Sequence, residues 1–223
     1  MKAPVADSTC GEFVVLLHGL ARTRRSMQAM AQALLEQGYR VVNTAYPSRH
    51  QTIDELAARV IPRAMFECQR QGATRIHFVT HSLGGILVRR YFNRQTDNYL
   101  GRVVMLGPPN QGSEAVDRLR DLPGFGLLNG PAGRQLGTGA DSVPRSLGPV
   151  TFELGVIAGT HGINPWLARL IPGDNDGKVS VESTRVAGMT DFIQLPCSHT
   201  FMMKSPRVIQ QTIFFLKNGM FDR

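Results

Sequence analysis

Ser82 stands where a strand-like run meets a helix-like run, a position that suits a nucleophilic serine. The apolar segment 76–80 ends at residues 81–85 (His-Ser-Leu-Gly-Gly), and a helical pattern starts at once. A serine on so sharp a turn needs small neighbours that let strand and helix approach, and the two glycines meet that need. Thr80 replaces the glycine that usually opens this motif. The alternative is an N-cap serine, which is a common helix start.

A serine hydroxyl needs a base to take its proton, and the base needs a third group to orient it. Two histidines, His161 and His199, follow Ser82 in the chain. His199 comes directly after the last predicted strand, residues 192–195. His161 follows the strand predicted over 152–158, where the loop of the acid would begin. His199 is therefore the predicted base, and His161 is the weaker candidate.

The loop 171–180 contains two carboxylates that could orient the histidine. Clusters of Asp and Gly are ordinary turn chemistry, which accounts for one of the two without catalysis. Asp176, directly before Gly177, is the preferred acid, and Asp174 is the alternative. The Asp-x-Asp spacing could suggest a calcium loop, but the Glu that closes such a loop is missing, so no metal site is predicted.

The negative oxygen that forms on a substrate carbonyl must be met by fixed N–H donors. The backbone N–H of Leu83, directly after the serine, is one predicted donor, and it gains from the N-terminus of its helix. Leu20, which follows His18 and Gly19 at the end of the first strand, is the second. His18 and His81 are predicted to be structural, packing or bonding beneath these loops.

Short apolar runs alternate with helical segments, which predicts a doubly wound, mostly parallel sheet of about six strands. The predicted strands are 12–17, 39–46, 76–81, 102–107, 152–158 and 192–195, with helices over 27–35, 52–71 and 208–216. Pro62 predicts a kink or an internal boundary in the second of these helices. Active sites of such sheets lie at the carboxyl ends of strands, where His18, Ser82 and the segment 108–113 fall.

Residues 113–150 interrupt this alternation. A helix is predicted over Glu114–Leu122, and the remainder is rich in Gly, Pro and Arg. The segment could be an ordinary surface connection, but long irregular stretches in compact domains are usually functional, which favours a small lid over the site. The whole chain, residues 1–223, is predicted to form one domain.

The composition indicates a globular protein with a basic surface. Lys plus Arg number 25 and Asp plus Glu 17, which gives a net charge of +8. The charge is dispersed, and its densest cluster, Arg22, Arg24 and Arg25, has no interleaved aromatic residues. This argues against nucleic-acid binding and predicts at most a weak attraction to an anionic membrane surface.

Cysteine usage and the N-terminus indicate the compartment. Cys10, Cys68 and Cys197 lack metal-binding spacing and allow at most one disulfide. No stretch reaches the roughly 18 apolar residues of a membrane span, and residues 1–7 lack the apolar core of a signal peptide. The chain as it stands is predicted to be cytoplasmic, or periplasmic or secreted if a leader has been removed.

Together these residues resemble the α/β-hydrolase superfamily, and within it the small bacterial lipases and esterases. The chain is also similar to the lipase-like domain of GPI-inositol deacylases. The resemblance rests on segments 18–20, 80–85, 109–113, 175–180 and 198–199, and so extends over nearly the whole chain. It implies a minimal α/β-hydrolase fold with a short or absent lid.

The resemblance implies cofactor-independent hydrolysis of a small-molecule or lipid-like acyl ester. It assigns Ser82 as nucleophile, Asp176 as acid and His199 as base, with the N–H groups of Leu20 and Leu83 binding the oxyanion. Two alternatives remain at this point. The same residues could serve an acyltransferase or a thioesterase, or the fold could serve as a non-catalytic binding module.

Overall fold

The computed structural model describes residues 11–93 and 95–223. Within them the strands are β1 (Glu12–Leu17), β2 (Arg40–Thr44), β3 (Arg75–His81), β4 (Leu100–Leu106), β5 (Leu154–Gly159) and β6 (Asp191–Leu195). These described strands form one six-stranded sheet in the order β2-β1-β3-β4-β5-β6. Every neighbouring pair is parallel. The predicted parallel α/β architecture is confirmed.

Helices connect the strands and cover the sheet. They are α1 (Gln28–Glu36), α2 (Ile53–Arg70), α3 (Leu83–Phe92), α4 (Glu114–Leu119), α5 (Phe125–Arg134), α6 (Val143–Ser146), α7 (Pro165–Arg169) and α8 (Pro206–Asn218). Short 3₁₀ turns cover Arg24–Met27, Glu182–Thr184 and Met202–Lys204. The closing helix is longer than predicted at both ends, because Pro206 is well suited to a first helical turn and Gly219 to a left-handed C-cap.

The side chains of β1 show how the sheet is covered on both faces. Phe13, Val15 and Leu17 belong to a core cluster with residues of α2 and α3. Val14 and Leu16 belong to a second cluster with residues of α1 and α8. Side chains alternate between the faces of a strand, so a strand buried on both faces needs apolar residues at every position. This explains the continuous apolar run in the sequence.

The predicted boundary at Pro62 is wrong. The helix α2 continues from Ile53 to Arg70 with this proline inside it, and a capping box between Thr52 and Glu55 fixes its start. An interior proline costs a helix about 3 kcal/mol. The apolar side chains of 60, 61, 64 and 65 are buried on both sides of it. Each burial of a large apolar side chain contributes about 1.5–3 kcal/mol, so together they outweigh the cost.

The segment 113–150 contains more helix than predicted. The helix expected over Glu114–Leu122 ends at Leu119, and α5 and α6 follow within the same described stretch. Each of these helices is short, so the sequence shows little periodicity. Gly130, with φ of 65° and ψ of −167°, also breaks the helical geometry inside α5 and thereby hides its pattern.

The prediction about the N-terminus concerns residues that lie outside the described ranges. Residues 1–10, on which the expectation about the N-terminus rests, include Cys10. Cys68 and Cys197 are free thiols. Over residues 11–93 and 95–223, none of the helices combines the length and the apolar character that crossing a bilayer requires.

His77 is buried in β3 and makes two polar contacts. Its Nδ1 accepts the backbone N–H of Arg102 at 2.9 Å, and its Nε2 lies 3.5 Å from Glu12 Oε2. Burial, assisted by the positive charges of Arg75 and Arg102, lowers the pKa of His77 from 6.5 to about 4. The folded protein therefore keeps this imidazole neutral at pH values where an unfolded chain would protonate it.

Mild acid is therefore expected to destabilise the protein through His77. The unfolded chain binds a proton as the pH falls through about 6.5, while the folded chain resists until about 4, so this stability is lost over that interval. We expect a loss of about 1–2 kcal/mol of unfolding free energy between pH 7 and pH 5. Urea denaturation of His77→Asn should show a shallower loss than that of His50→Asn, which changes an exposed histidine. Equal losses would contradict this account.

Candidate active site

Ser82 joins β3 to α3 in a backbone conformation that side chains rarely adopt. Its φ is 53° and its ψ is −118°. Such a conformation costs on the order of 1–3 kcal/mol and persists only where the surroundings enforce it. The Ser82 N–H donates to the Leu106 carbonyl at 3.0 Å, and this bond helps to hold the conformation. Ser82 occupies the N-cap position of α3, but its side chain forms no capping hydrogen bond, so capping does not account for this conformation.

The small residues after Ser82 let strand and helix approach. A Cβ at Gly84 would lie 2.8 Å from the Leu17 carbonyl oxygen, and one at Gly85 would lie 3.0 Å from Met105 Sδ. Contacts this short would push α3 away from the sheet. Thr80 is fully buried, so a threonine fits this turn in place of the usual glycine.

His199 and Asp176 form a buried pair. His199 Nδ1 lies 2.7 Å from Asp176 Oδ2, and the His199 backbone N–H donates to the Asp176 carbonyl at 3.0 Å. An ionised carboxylate can only accept hydrogen bonds, so in the neutral form of the imidazole this contact assigns the proton to Nδ1 and the lone pair to Nε2. Asp176 Oδ1 accepts the N–H groups of Lys178 and Val179 at 3.0 and 2.9 Å, which fixes the carboxylate.

The alternative residues lie elsewhere. The residue Asp174 is exposed, and its carbonyl accepts the N–H of Val181 at 2.8 Å. His161 is also exposed, and its Nδ1 lies 3.2 Å from Thr160 Oγ1. The structure therefore brings Asp176 to His199 and leaves Asp174 and His161 outside this pair. The catalytic roles themselves remain predictions.

Glu114, which sequence reasoning missed, ties the loop of Asp176 to α4. One of its carboxylate oxygens accepts the hydroxyls of Ser180 and Ser183 at 2.5 and 2.6 Å. Ser113 adds a bond from its hydroxyl to the Lys178 carbonyl at 2.8 Å. An acidic residue in a first helical turn is typical of any helix start. No local signal in the sequence could therefore indicate contacts with residues so distant along the chain.

One buried arginine bonds to residues just before the segment 113–150 and near its end. Arg89 of α3 donates to the carbonyl of Asn110 at 2.9 Å and to that of Gly148 at 2.7 Å. Burial lowers its pKa to about 10, so the guanidinium stays charged at neutral pH. Bonds from a charged donor are stronger than neutral ones, so Arg89 anchors the segment to the helix that follows Ser82.

The loop after β1 brings the N–H of Leu20 to the site. This N–H donates to no group in the described residues, and Leu20 lines the cavity that holds Ser82. Ala21 next to it has a φ of 54°, and its N–H bonds to the Ser48 hydroxyl at 3.1 Å. Leu83 heads α3, where N–H groups have no acceptor within the helix. Neither predicted donor is therefore committed to an acceptor of its own element, and their role as oxyanion donors stays a prediction.

His18 and His81 bond beneath the loops, as predicted. His18 stacks on Tyr46 with ring centroids 4.1 Å apart, and the Tyr46 hydroxyl donates to the His18 carbonyl. His81 Nε2 lies 2.9 Å from the His199 carbonyl and supports that loop. Burial, with smaller contributions from nearby positive groups, holds the pKa of His81 well below its usual value, so its ring stays neutral.

Ser82 and His199 line one cavity of about 340 Å³. The apolar part of its wall comes mainly from the segment 113–150, including Val116, Leu119, Leu122, Phe125, Leu128 and Leu136. Hereafter this segment is called the cap. In the described residues neither Ser82 Oγ nor His199 Nε2 has a hydrogen-bond partner. Catalytic hydrogen bonds of this kind often form only when substrate binds.

Gly107, at the end of β4, is the tightest point beside the buried pair. Its φ is 53°, and a Cβ there would lie 2.9 Å from Asp176 Oδ2 and 3.1 Å from His199 Nδ1. We expect Gly107→Ala to lower ester hydrolysis by at least about 100-fold, because a displacement near 1 Å is enough for such a loss. Gly72→Ala is the control, since it shares a positive φ but has open space around it. Comparable losses in both variants would contradict this reasoning.

Comparison with known protein families and sequences gives a family match. A family model described as the alpha/beta hydrolase family matches residues 14–208. No curated protein sequence matches the chain.

Among the described residues, no group of three or more His, Cys, Asp or Glu side chains could hold a metal ion.

Several solved structures share the architecture. The mature Bacillus licheniformis lipase BlEst2 has a TM-score of 0.74 at 20% identity, covering 98% of this chain and 94% of that one. Phospholipase PlaB from Legionella pneumophila, in complex with thio-NAD, has a TM-score of 0.72 at 19% identity, covering 92% and 57%. A structure from work on the metagenome-derived lipolytic enzymes LipS and LipT has a TM-score of 0.60 at 17% identity, covering 92% and 93%. At these identities the likeness establishes the fold alone.

Proposed function

This chain belongs to the alpha/beta hydrolase family, and on that premise we propose that it is a serine hydrolase of carboxylic esters with an apolar acyl chain. The observation that carries the proposal is the buried bond of 2.7 Å between His199 and Asp176, beside the same cavity as the strained Ser82. A base oriented by a carboxylate, next to a nucleophile that lines a cavity, is the arrangement that acyl transfer from an ester requires.

The proposed reaction proceeds through an acyl-enzyme. Ser82 Oγ attacks the ester carbonyl while His199 Nε2 takes its proton, and Asp176 stabilises the imidazolium that forms. The N–H groups of Leu20 and Leu83 bind the negative oxygen of the tetrahedral intermediate. His199 then returns the proton to the departing alcohol. Water, activated by the same histidine, attacks the acyl group and releases the acid.

The cap favours an apolar acyl chain. Its leucines, its valine and Phe125 surround the cavity beside Ser82, and aliphatic and aromatic walls bind alkyl chains by removing them from water. Of the solved structures of similar fold, one is a lipase, one is a phospholipase and one comes from work on lipolytic enzymes. These activities are those of the other proteins, and they are compatible with the substrate class proposed here.

A series of nitrophenyl esters, from acetyl to palmitoyl, tests this proposal. The expected result is turnover that peaks at one chain length and disappears in Ser82→Ala. A competing alcohol or thiol in the assay separates hydrolysis from acyl transfer, because transfer would divert the acyl group into a new ester or thioester. Absence of Ser82-dependent turnover at every chain length would overturn the proposal and favour a binding module.

A further inference from the structure

A second groove, of about 560 Å³, lies against the outer side of the loop that carries Leu20. Its charged residues are all basic: Arg22, Arg25, Lys178 and Lys204. Thr23 and Ser26 line it as well. We call this the basic groove. It differs in chemistry from the cavity beneath the cap, whose wall is mostly apolar.

The four cations of the basic groove form no ion pair or side-chain hydrogen bond in the described residues. Ion pairs elsewhere neutralise other arginines, such as Arg90 with Asp54. Arg22 and Lys178 line the same groove, and desolvation together with the positive charge of Arg22 lowers the pKa of Lys178. The negative charge of Asp176 offsets this lowering only in part. An anion between the two cations would relieve the repulsion.

The basic groove and the cavity beneath the cap share part of their walls. Leu20, Ala21, Arg22 and Lys178 line both. A substrate whose carbonyl lies at Ser82 can therefore extend an apolar chain beneath the cap and another part between the cations. The shared wall includes the predicted oxyanion donor Leu20, and its two cations, Arg22 and Lys178, also line the cavity that contains Ser82.

We propose that the basic groove binds a phosphate group on the alcohol portion of the ester substrate. This inference rests on the function proposed above and specifies its substrate as a phosphorylated acyl ester. Several cations converging without carboxylates suit the multiple charge of a phosphate, and Arg side chains bind its oxygens with parallel hydrogen bonds. The hydroxyl group of Thr23 supplies a further donor, whereas that of Ser26 already donates to the Thr23 carbonyl at 2.8 Å.

The test compares two soluble substrates that differ only in the phosphate. They are hexanoyl glycerol and hexanoyl glycerol phosphate, each used below the concentration at which it aggregates. For the wild-type protein, kcat/KM should be at least about tenfold higher for the phosphorylated ester, because charged hydrogen bonds commonly contribute that much. The preference should also shrink as sodium chloride rises from roughly 50 to 500 mM, since salt screens exposed charges.

A charge-matched pair of double variants locates the effect. Arg25→Gln with Lys204→Gln should reduce the preference for the phosphorylated ester by roughly three- to tenfold, since both side chains line the basic groove but not the cavity beneath the cap. Arg59→Gln with Arg63→Gln removes the same charge from the exposed face of α2 and should leave the preference unchanged. Equal changes in both pairs would overturn the proposal.

The remaining outcomes separate this inference from the proposed function. If the neutral ester is hydrolysed through Ser82 but the phosphate brings no preference, the inference fails and the hydrolase proposal stands. If neither ester is hydrolysed through Ser82, the hydrolase proposal fails. Inorganic phosphate should compete with the phosphorylated ester. If it instead accelerates hydrolysis of the neutral ester, the groove binds free phosphate as an effector, which overturns the assignment to substrate.

Discussion

The substitution Asp176→Asn is expected to lower kcat/KM for ester hydrolysis by about 10⁴-fold. The Asp176 carboxylate accepts the proton on His199 Nδ1 at 2.7 Å, whereas an amide can present its own N–H to that nitrogen. The tautomer with its proton on Nε2 is then favoured, and His199 can no longer accept the proton of Ser82. Steady-state kinetics on the best nitrophenyl ester measures this loss.

The variant Asp174→Asn is the matched control, because it makes the same chemical change on an exposed residue of the same loop. Its kcat/KM should stay within about twofold of the wild type, as is usual for surface substitutions. In Asp176→Asn the amide oxygen can still accept the N–H groups of Lys178 and Val179, so the loop should keep its conformation. A larger loss in Asp174→Asn than in Asp176→Asn would contradict the assignment of the acid.

The substitution Ser82→Ala is expected to lower kcat by about 10⁴- to 10⁶-fold, the largest effect of any single change considered. The variant loses the attacking oxygen but keeps Cβ and the positive φ, so the sharp turn between β3 and α3 should persist. The residual rate should come from substrate binding and from the N–H groups of Leu20 and Leu83, which remain in place. Kinetics with sensitive fluorogenic esters can measure so low a rate.

The double variant, Ser82→Ala with His199→Ala, is the control for this prediction. Residues that act as one unit are strongly non-additive, so Ser82→Ala with His199→Ala should be about as inactive as Ser82→Ala alone. His161→Ala should remain active, because that histidine is exposed and outside the buried pair. If the two losses instead multiply in the double variant, Ser82 and His199 act independently and the proposed mechanism is wrong.

Much of the fold and several candidate residues could be predicted from local sequence signals. Strands buried on both faces give continuous apolar runs, and β1 is a clear example. The abrupt change at Ser82, with small residues after it, marks a sharp strand–helix turn. His199 closely follows β6, so its place in the chain was informative. Local sequence signals do not distinguish Asp176 from Asp174, because both lie in one turn-rich loop.

Other parts of the site depend on contacts between distant segments and leave no local pattern. Glu114 bonds to Ser180 and Ser183, yet in the sequence it reads as an ordinary first-turn acid. Gly107 matters because the buried pair of Asp176 and His199 lies against it. The cap was only partly predicted, since its helices are short and Gly130 interrupts one of them.

The basic groove could not be predicted for the same reason. Arg22 and Arg25 stood out as part of a dispersed positive charge, but Lys178 and Lys204 lie far from them in the chain. Only the folded structure brings the four together beside the cavity beneath the cap. Charge counts in a sequence indicate a basic surface, whereas the position of that charge relative to Ser82 requires the fold.

Covalent labelling can show directly whether Ser82 is a nucleophile activated by His199. A fluorophosphonate that reacts with activated serines is incubated with the protein, and the modified residue is identified by peptide mass spectrometry. The account predicts one adduct, on Ser82, which forms in the wild type and in Asp174→Asn, forms slowly in Asp176→Asn, and is absent from Ser82→Ala. An unmodified Ser82, or an adduct on another serine, in protein that hydrolyses esters would contradict it.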